Sequence, residues 1–193
     1  HEGGHAIVTR SLPNTDKVNM ITIVPRGYAG GFPSFLPHDD RQFMSRNEML
    51  TEIVTFLGGR AAEALVLDDI STGASNDIER ATQMARDMVV KYGMSKALGP
   101  VTYEENKNNV FLGNDLGQVR AYSNETAQAI DKEVRSIMTN ALEKAMEILR
   151  QNREMLDALA KRLLEKETMH AAEFEELFQE YGVAYEEKEE IEL

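Results

Sequence analysis

Two histidines four positions apart, His1 and His5, bracket Glu2 and a pair of glycines. On a helix of about 3.6 residues per turn both imidazoles face the same way. Two neutral imidazoles on one face can hold a divalent zinc, and a glutamate beside the first can serve as general base in metal-assisted hydrolysis. The pattern H-E-x-x-H fixes only three residues, and two ordinary surface histidines satisfy it equally. Gly3 and Gly4 also weaken a helix, by about 1 kcal/mol each relative to alanine. The motif needs support from elsewhere in the chain.

A catalytic zinc takes three protein ligands and leaves a fourth position open. The 193 residues include no cysteine and four histidines. His38 falls in a loop setting, and His170 falls where the last helix should be capped, with Glu173 three positions on. The third ligand is therefore expected to be a carboxylate. Glu63, in Gly58-Gly59-Arg60-Ala61-Ala62-Glu63, can reach in from a helix packed on the first. Asp77 lies in the first turn of the next helix, where a short arm suits precise coordination and the helix N-terminus stabilises its charge. Their plainer roles are a salt bridge for Glu63 and a dipole-favouring acid for Asp77. Spacing alone leaves both open.

The elements that must carry these groups read as mainly α. A first helix runs to about Leu12, closed by Pro13. Lys17 to Val24 reads as a strand from its β-branched content, with Val18, Met20 and Val24 on one face and Ile21 and Ile23 on the other. Gly- and Pro-rich Tyr28 to Pro37 has room for a second strand or hairpin arm. Ser45 with Glu48 forms a capping box for a helix expected to continue through Gly58-Gly59 to about Leu65, the glycines marking a close backbone approach. Ser75 is expected to cap a helix reaching Tyr92, with Gly93 as its left-handed stop and Ile78, Ala81, Met84, Ala85, Met88 and Val89 as its apolar stripe. Residues 94–118 read as irregular. Three C-terminal helices follow: Ser123 to about Gln151, Asn152 to Lys166, and Ala171 to Tyr181. The first of these should bury Ala127, Ile130, Val134, Ile137, Met138, Ala141, Met146 and Leu149.

Composition excludes several classes. A hydrophobic share of 42% with 28% charged residues is that of a globular chain. The net charge of −12 argues against a nucleic-acid partner. Residues 183–193 hold five glutamates against one lysine, a local charge of −4, and read as a disordered acidic tail. There is no run of about 18 apolar residues and no G-x-x-x-x-G-K-[ST] phosphate loop. A helix bearing two metal ligands needs residues ahead of His1, so the sequence is expected to be a piece of a longer protein.

Several motifs occur in a fixed order: His1-Glu2-Gly3-Gly4-His5-Ala6, Thr22 to Gly27 (TIVPRG), Gly58 to Glu63 (GGRAAE), and Thr72 to Asp77 (TGASND) with Ala81-Thr82. Lys91 to Ser95 (KYGMS), Leu98-Gly99-Pro100, Ile130 to Val134 (IDKEV) and Leu163 to Thr168 (LLEKET) follow. Together, over residues 1 to about 182, they closely resemble the protease domain of the FtsH family of membrane-anchored, ATP-dependent AAA+ zinc metalloproteases. The resemblance implies a helical zinc-protease domain over 1–182, with a small strand or hairpin element in a catalytic part (1–118) and a C-terminal helical bundle (119–182). It implies one zinc per chain held by His1, His5 and Asp77, Glu2 as general base, and Glu63 behind the ligands, orienting a histidine or the ligand carboxylate. It further implies an upstream ATPase module as the only route to ATP, and membrane attachment through segments absent here. A ring of six subunits and substrates that are unfolded or membrane proteins also follow. The protease domain would lie on the cytoplasmic side or the equivalent organelle interior. Met20, Ile21, Thr22, Ile23 and Val24 could bind extended substrate by β-addition, the alternative being an ordinary core strand. The family usually has alanine at Gly3, and often an acidic cap at His170. Two other readings are a stand-alone zinc endopeptidase and a catalytically inactive assembly or adaptor module of the same fold.

Overall fold

A computed structural model describes residues 1–25, 32–36, 43–104 and 122–184. Helix α1 spans Glu2–Ser11, and Leu12, the residue before Pro13, leaves it in an extended conformation (φ −98°, ψ 147°), as the proline ring requires. Every residue from Gly3 to Thr9 is buried. The small and apolar residues of its middle turns lie inside the core, while Arg10 near its end stays exposed.

Helix α2, Arg46–Phe56, starts with the expected box: Ser45 N–H donates to Glu48 Oε2 at 2.6 Å and Glu48 N–H to Ser45 Oγ at 3.2 Å. The helix does not continue through the glycines. Leu57 (φ −84°, ψ −3°) breaks it, and α3 begins afresh as Gly58–Leu67. The cause is α1, which crosses here at backbone contact. A Cβ on Gly4 would lie 2.4 Å from Gly58 O, and one on Gly58 would lie 2.9 Å from Gly4 O. Only glycines permit that approach.

Ser75 is not the cap it was expected to be. Ser71 caps a 3₁₀ turn, Thr72–Ala74, which runs directly into α4, Ser75–Val90. A helix is capped by the last extended residue ahead of it; here the 3₁₀ turn moves that position to Ser71. Gly93 is left-handed (φ +59°) as expected. Of the stripe on α4, Ala81, Ala85, Met88 and Val89 are buried, but Ile78 is 37% exposed. Helix α5, Asn124–Gln151, starts with Ser123 Oγ accepting from Thr126 N–H. It packs on α1, α2, α3 and α4. Its buried face includes Ala145 and Ile148, which the expectation omitted, whereas Val134, Met138 and Met146 are only partly buried. Helices α6 (Arg153–Lys166) and α7 (Ala171–Tyr181) follow.

Strand β1 is Lys17–Thr22, two residues shorter than expected, and pairs antiparallel with β2, Phe32–Leu36. A bulge between Val18 and Met20 resets the alternation, so Val18 and Ile21, three apart, are both buried. The third strand, β3 (Thr168–His170), was not expected. It covers the other edge of β1 at Met20, Ile21 and Thr22, giving the order β2-β1-β3. Ile23 N–H donates to Glu167 O at 2.9 Å, and Val24 lies beyond the strand. The proposed substrate strand is thus a central strand whose edge is already taken from Met20 to Ile23, and extended substrate cannot add there. His170 holds the N-cap position of α7 without a side-chain cap bond; Glu173 pairs instead with Lys166 and Arg162.

One buried cluster runs from Ala6 to Phe178. Among the described residues no helix is long and apolar enough to cross a membrane. The 118/119 boundary, His38, most of the irregular 94–118 segment and residues 185–193 of the acidic tail lie outside the described residues.

The glycine contact gives a paired prediction. Gly4→Ala should cost about 3 kcal/mol in urea unfolding, because its Cβ meets backbone that cannot yield. Gly3→Ala should stay within about 1 kcal/mol of wild type: its Cβ meets only flexible Leu156 and Leu159 methyl groups at 3.3 Å, and alanine favours the helix.

Candidate metal centre

The first turn of α1 carries His1 and His5 to one side, with their Nε2 atoms 3.2 Å apart. Helix α4 brings Asp77 Oδ2 to 3.3 Å from each. Among the described residues this is the cluster of three whose donor atoms could share one metal ion. Zinc bonds of about 2.0–2.1 Å at tetrahedral angles set neighbouring ligand atoms about 3.3–3.4 Å apart. The observed triangle has that size. His5 is the most enclosed (side chain 9% exposed), with His1 at 23% and Asp77 at 19%, so the cluster reaches solvent on the His1–Asp77 side.

The backs of both rings are held. His5 Nδ1 lies 2.9 Å from the Thr55 carbonyl. A carbonyl only accepts, so Nδ1 carries the proton and the Nε2 lone pair faces the cluster. His1 Nδ1 lies 2.8 Å from Glu63 Oε1, which orients its ring in the same sense. Glu63 therefore sits behind His1, outside the triangle, and is buried. Ser71 N–H donates to Glu63 Oε2 at 3.2 Å, and Ser71 Oγ lies 3.2 Å from both carboxylate oxygens. Beneath the rings Gly59 is indispensable for space: a Cβ there would lie 2.6 Å from His1 Cε1 and from His5 Nε2.

Sequence reasoning thus named the three clustered side chains and Glu63, and the structure brings all four into contact. It missed the Thr55 carbonyl, Gly59 and Ser71. Gly59 carried a signal, since the glycine pair marked a close approach. A backbone acceptor leaves no trace in residue type, and Ser71 sits eight positions from Glu63 with no periodic relation to it.

Electrostatics follow from this packing. The hydrogen bond to Asp77, opposed by burial and helped by Glu63 and Glu2, raises the His1 pKa from 6.5 to about 9 in the metal-free protein. Burial pushes the Asp77 carboxyl up, but hydrogen bonds and charge from His1 and His5 outweigh it and hold the group well below the carboxylate range. Burial likewise opposes ionisation of Glu63, yet the Ser71 donors and His1 keep its pKa below the ordinary value. Glu2 goes the other way: burial raises its pKa, with Asp77 adding to the rise and the two histidines offsetting it.

Residues 1–177 match the model of peptidase family M41. The chain belongs to that family. It is 53% identical over 178 residues to the ATP-dependent zinc metalloprotease FtsH 1 of Thermoanaerobacter sp. (strain X514), a match covering 92% of this chain and 29% of the relative. The FtsH of Caldicellulosiruptor bescii is 52% identical over 92% of this chain and 29% of its own length. That of Thermotoga maritima is 47% identical over 93% and 30%. The chain thus spans less than a third of the length of these curated relatives. For an M41 chain, the cluster is a set of donors suited to zinc: two imidazoles with Nε2 aimed inward and one ionised carboxylate.

A metal and a proton compete for His1 Nε2. His1 binds its proton more tightly folded than unfolded, so in the metal-free protein that stabilisation is complete below about pH 6.5 and disappears as pH rises to about 9. It is the same interaction that depresses Asp77, counted once, and after solvent screening amounts to about 2 kcal/mol. The thermal midpoint of metal-free protein should therefore fall across pH 6.5–9, and saturating zinc should flatten the slope. A flat metal-free profile would refute the protonated His1–Asp77 pair.

Proposed function

We propose that the chain is the zinc-dependent endopeptidase unit of a longer, membrane-anchored and ATP-dependent protease, with unfolded polypeptides and membrane proteins as its substrates. The observation that carries this reading is the triangle of His1 Nε2, His5 Nε2 and Asp77 Oδ2, 3.2–3.3 Å on each side, with both rings held from behind. In the proposal these three side chains hold one zinc per chain. Glu63 orients His1, a role of the kind that commonly supports metal-ligating histidines. Zinc held there supplies Lewis acidity, acidifying water and polarising a peptide carbonyl.

Glu2 is the base. Its partly buried position and raised pKa suit a carboxylate that must accept a proton from water and return it to the leaving amine. With a metal in place of the proton on His1, both histidines would present Nε2 lone pairs inward, their rings oriented from behind by Glu63 and the Thr55 carbonyl. The relatives are named as ATP-dependent zinc metalloproteases. By that likeness the proposal assigns ATP use to a module outside this chain, membrane attachment to segments outside it, and the working state to a ring of six. The peptidase unit would then face the cytoplasm or an equivalent organelle interior.

Two sets of variants test the assignment. Glu2→Gln should keep close to one zinc per chain and reduce cleavage of an unfolded protein at least about a hundredfold; undiminished cleavage would remove Glu2 from the mechanism. Asp77→Ala should abolish stoichiometric zinc binding, whereas Glu63→Ala should weaken it about 10–100-fold and still saturate at high zinc. The reverse pattern would make Glu63 the third ligand.

A further inference from the structure

Glu63 touches two things at once: the back of the His1 ring and the start of the segment that carries Asp77. Ser71 makes the second contact. It is extended (φ −109°, ψ 169°) and caps the 3₁₀ turn through Gly73 N–H, which donates to Ser71 Oγ at 3.1 Å. From Thr72 onward the chain is helical without interruption through Asp77, because Ser75 N–H bonds back to Thr72 O at the junction. A short helical run of this kind is stiff, so the placement of Ser71 fixes the placement of Asp77. The Ser71 hydroxyl lies 3.2 Å from both oxygens of Glu63, one of which also meets His1 Nδ1 at 2.8 Å. The contacts close a ring: His1 to Glu63, Glu63 to Ser71, Ser71 along the helix to Asp77, and Asp77 back to His1 at 3.3 Å.

We propose that Ser71 is a positioning residue for the metal centre: through Glu63 it couples the His1 ring to the helix that delivers Asp77, and so sets the width of the ligand triangle without touching the metal. The inference rests on the reading of His1, His5 and Asp77 as a zinc site. It gives Glu63 a second task beyond orienting one ring. The hydroxyl is the part that matters, since it alone meets both carboxylate oxygens while accepting from Gly73. Threonine keeps that hydroxyl, and its branched Cβ suits the extended backbone at an exposed position.

The test uses the full 193-residue chain, zinc alone in competition with a chromophoric chelator, and cobalt(II) as a spectroscopic substitute. Ser71→Ala should weaken zinc binding about tenfold and shift the visible cobalt bands, with the circular dichroism of the metal-free protein unchanged. Ser71→Thr should restore both to within about twofold of wild type. If Ser71 acts through Glu63, the loss caused by Ser71→Ala should shrink below about twofold in a Glu63→Gln background. Zinc affinity unaltered in Ser71→Ala, no rescue by threonine, or a full tenfold loss persisting in the Glu63→Gln background would each overturn the proposal. Failure of the underlying reading is separate: it would appear as stoichiometric zinc binding that survives Asp77→Ala.

Discussion

The close crossing of α1 over the start of α3 governs this molecule. Gly4 and Gly58 meet backbone to backbone, and Gly59 lies directly under the two imidazoles. Hydrogen bonds to the backs of the rings operate only within about 3 Å, so the acceptors must be brought that close. The crossing brings them there: Thr55 near the end of α2 reaches His5, and Glu63 on α3 reaches His1. A side chain at either of the two contacting glycines would push α3 away and take Glu63 with it. The break at Leu57 belongs to the same arrangement, and helical hydrogen bonds persist on either side of it, from Leu57 N–H to Ile53 O and from Ala61 N–H to Leu57 O.

That geometry concentrates charge. Two carboxylates, Asp77 and Glu63, contact the opposite nitrogens of a single imidazole, with Glu2 nearby as a third acid. Unpaired, buried carboxylates would be costly. In the metal-free protein a proton on His1 compensates them, which is why its pKa is raised while those of Asp77 and Glu63 are lowered. A divalent cation does the same with more charge and no need for the proton. The cluster thus offers a cation the same compensating charge that the proton on His1 meets in the metal-free protein. Glu2, whose main perturbation is burial, is the acid left with a raised pKa.

What could be read from the residues followed the range of the interactions. Local devices were legible: the Ser45–Glu48 box, the left-handed Gly93 and the stop at Pro13 depend on neighbours within four positions. The H-E-x-x-H spacing is equally local. Features fixed by tertiary contact were not. The helix break at Leu57 requires α1 on the other side, and β3 is three residues whose strand character comes from pairing with β1 across more than 145 positions of sequence. The alternation expected for β1 failed because a bulge adds a residue, something neither Val18 nor Ile21 announces. Ser75 and Ser71 show the same limit within one turn: both are good cap residues, and only the 3₁₀ segment between them decides which is used. The ordered companion motifs went further than any spacing, since they drew on a whole pattern at once.

The choice between the two candidate carboxylates shows why composition and spacing stop where they do. Glutamate and aspartate offer the same oxygen donors, and each sits on a helix that reaches α1. The difference lies in which nitrogen each can reach. Glu63 extends from α3, the helix pressed against α1 from beneath, so its oxygen arrives at Nδ1, the outward side of the His1 ring. Asp77 extends from the N-terminal turn of α4, and its shorter arm arrives at Nε2 of both histidines. Imidazole has two nitrogens on opposite edges, and once one is engaged by a buried acceptor the other is committed to the cluster. Placement of the helices thus divides one chemical type into two duties. In the proposed zinc site the carboxylate behind the ring would set its orientation, and the carboxylate in front would complete the donor set.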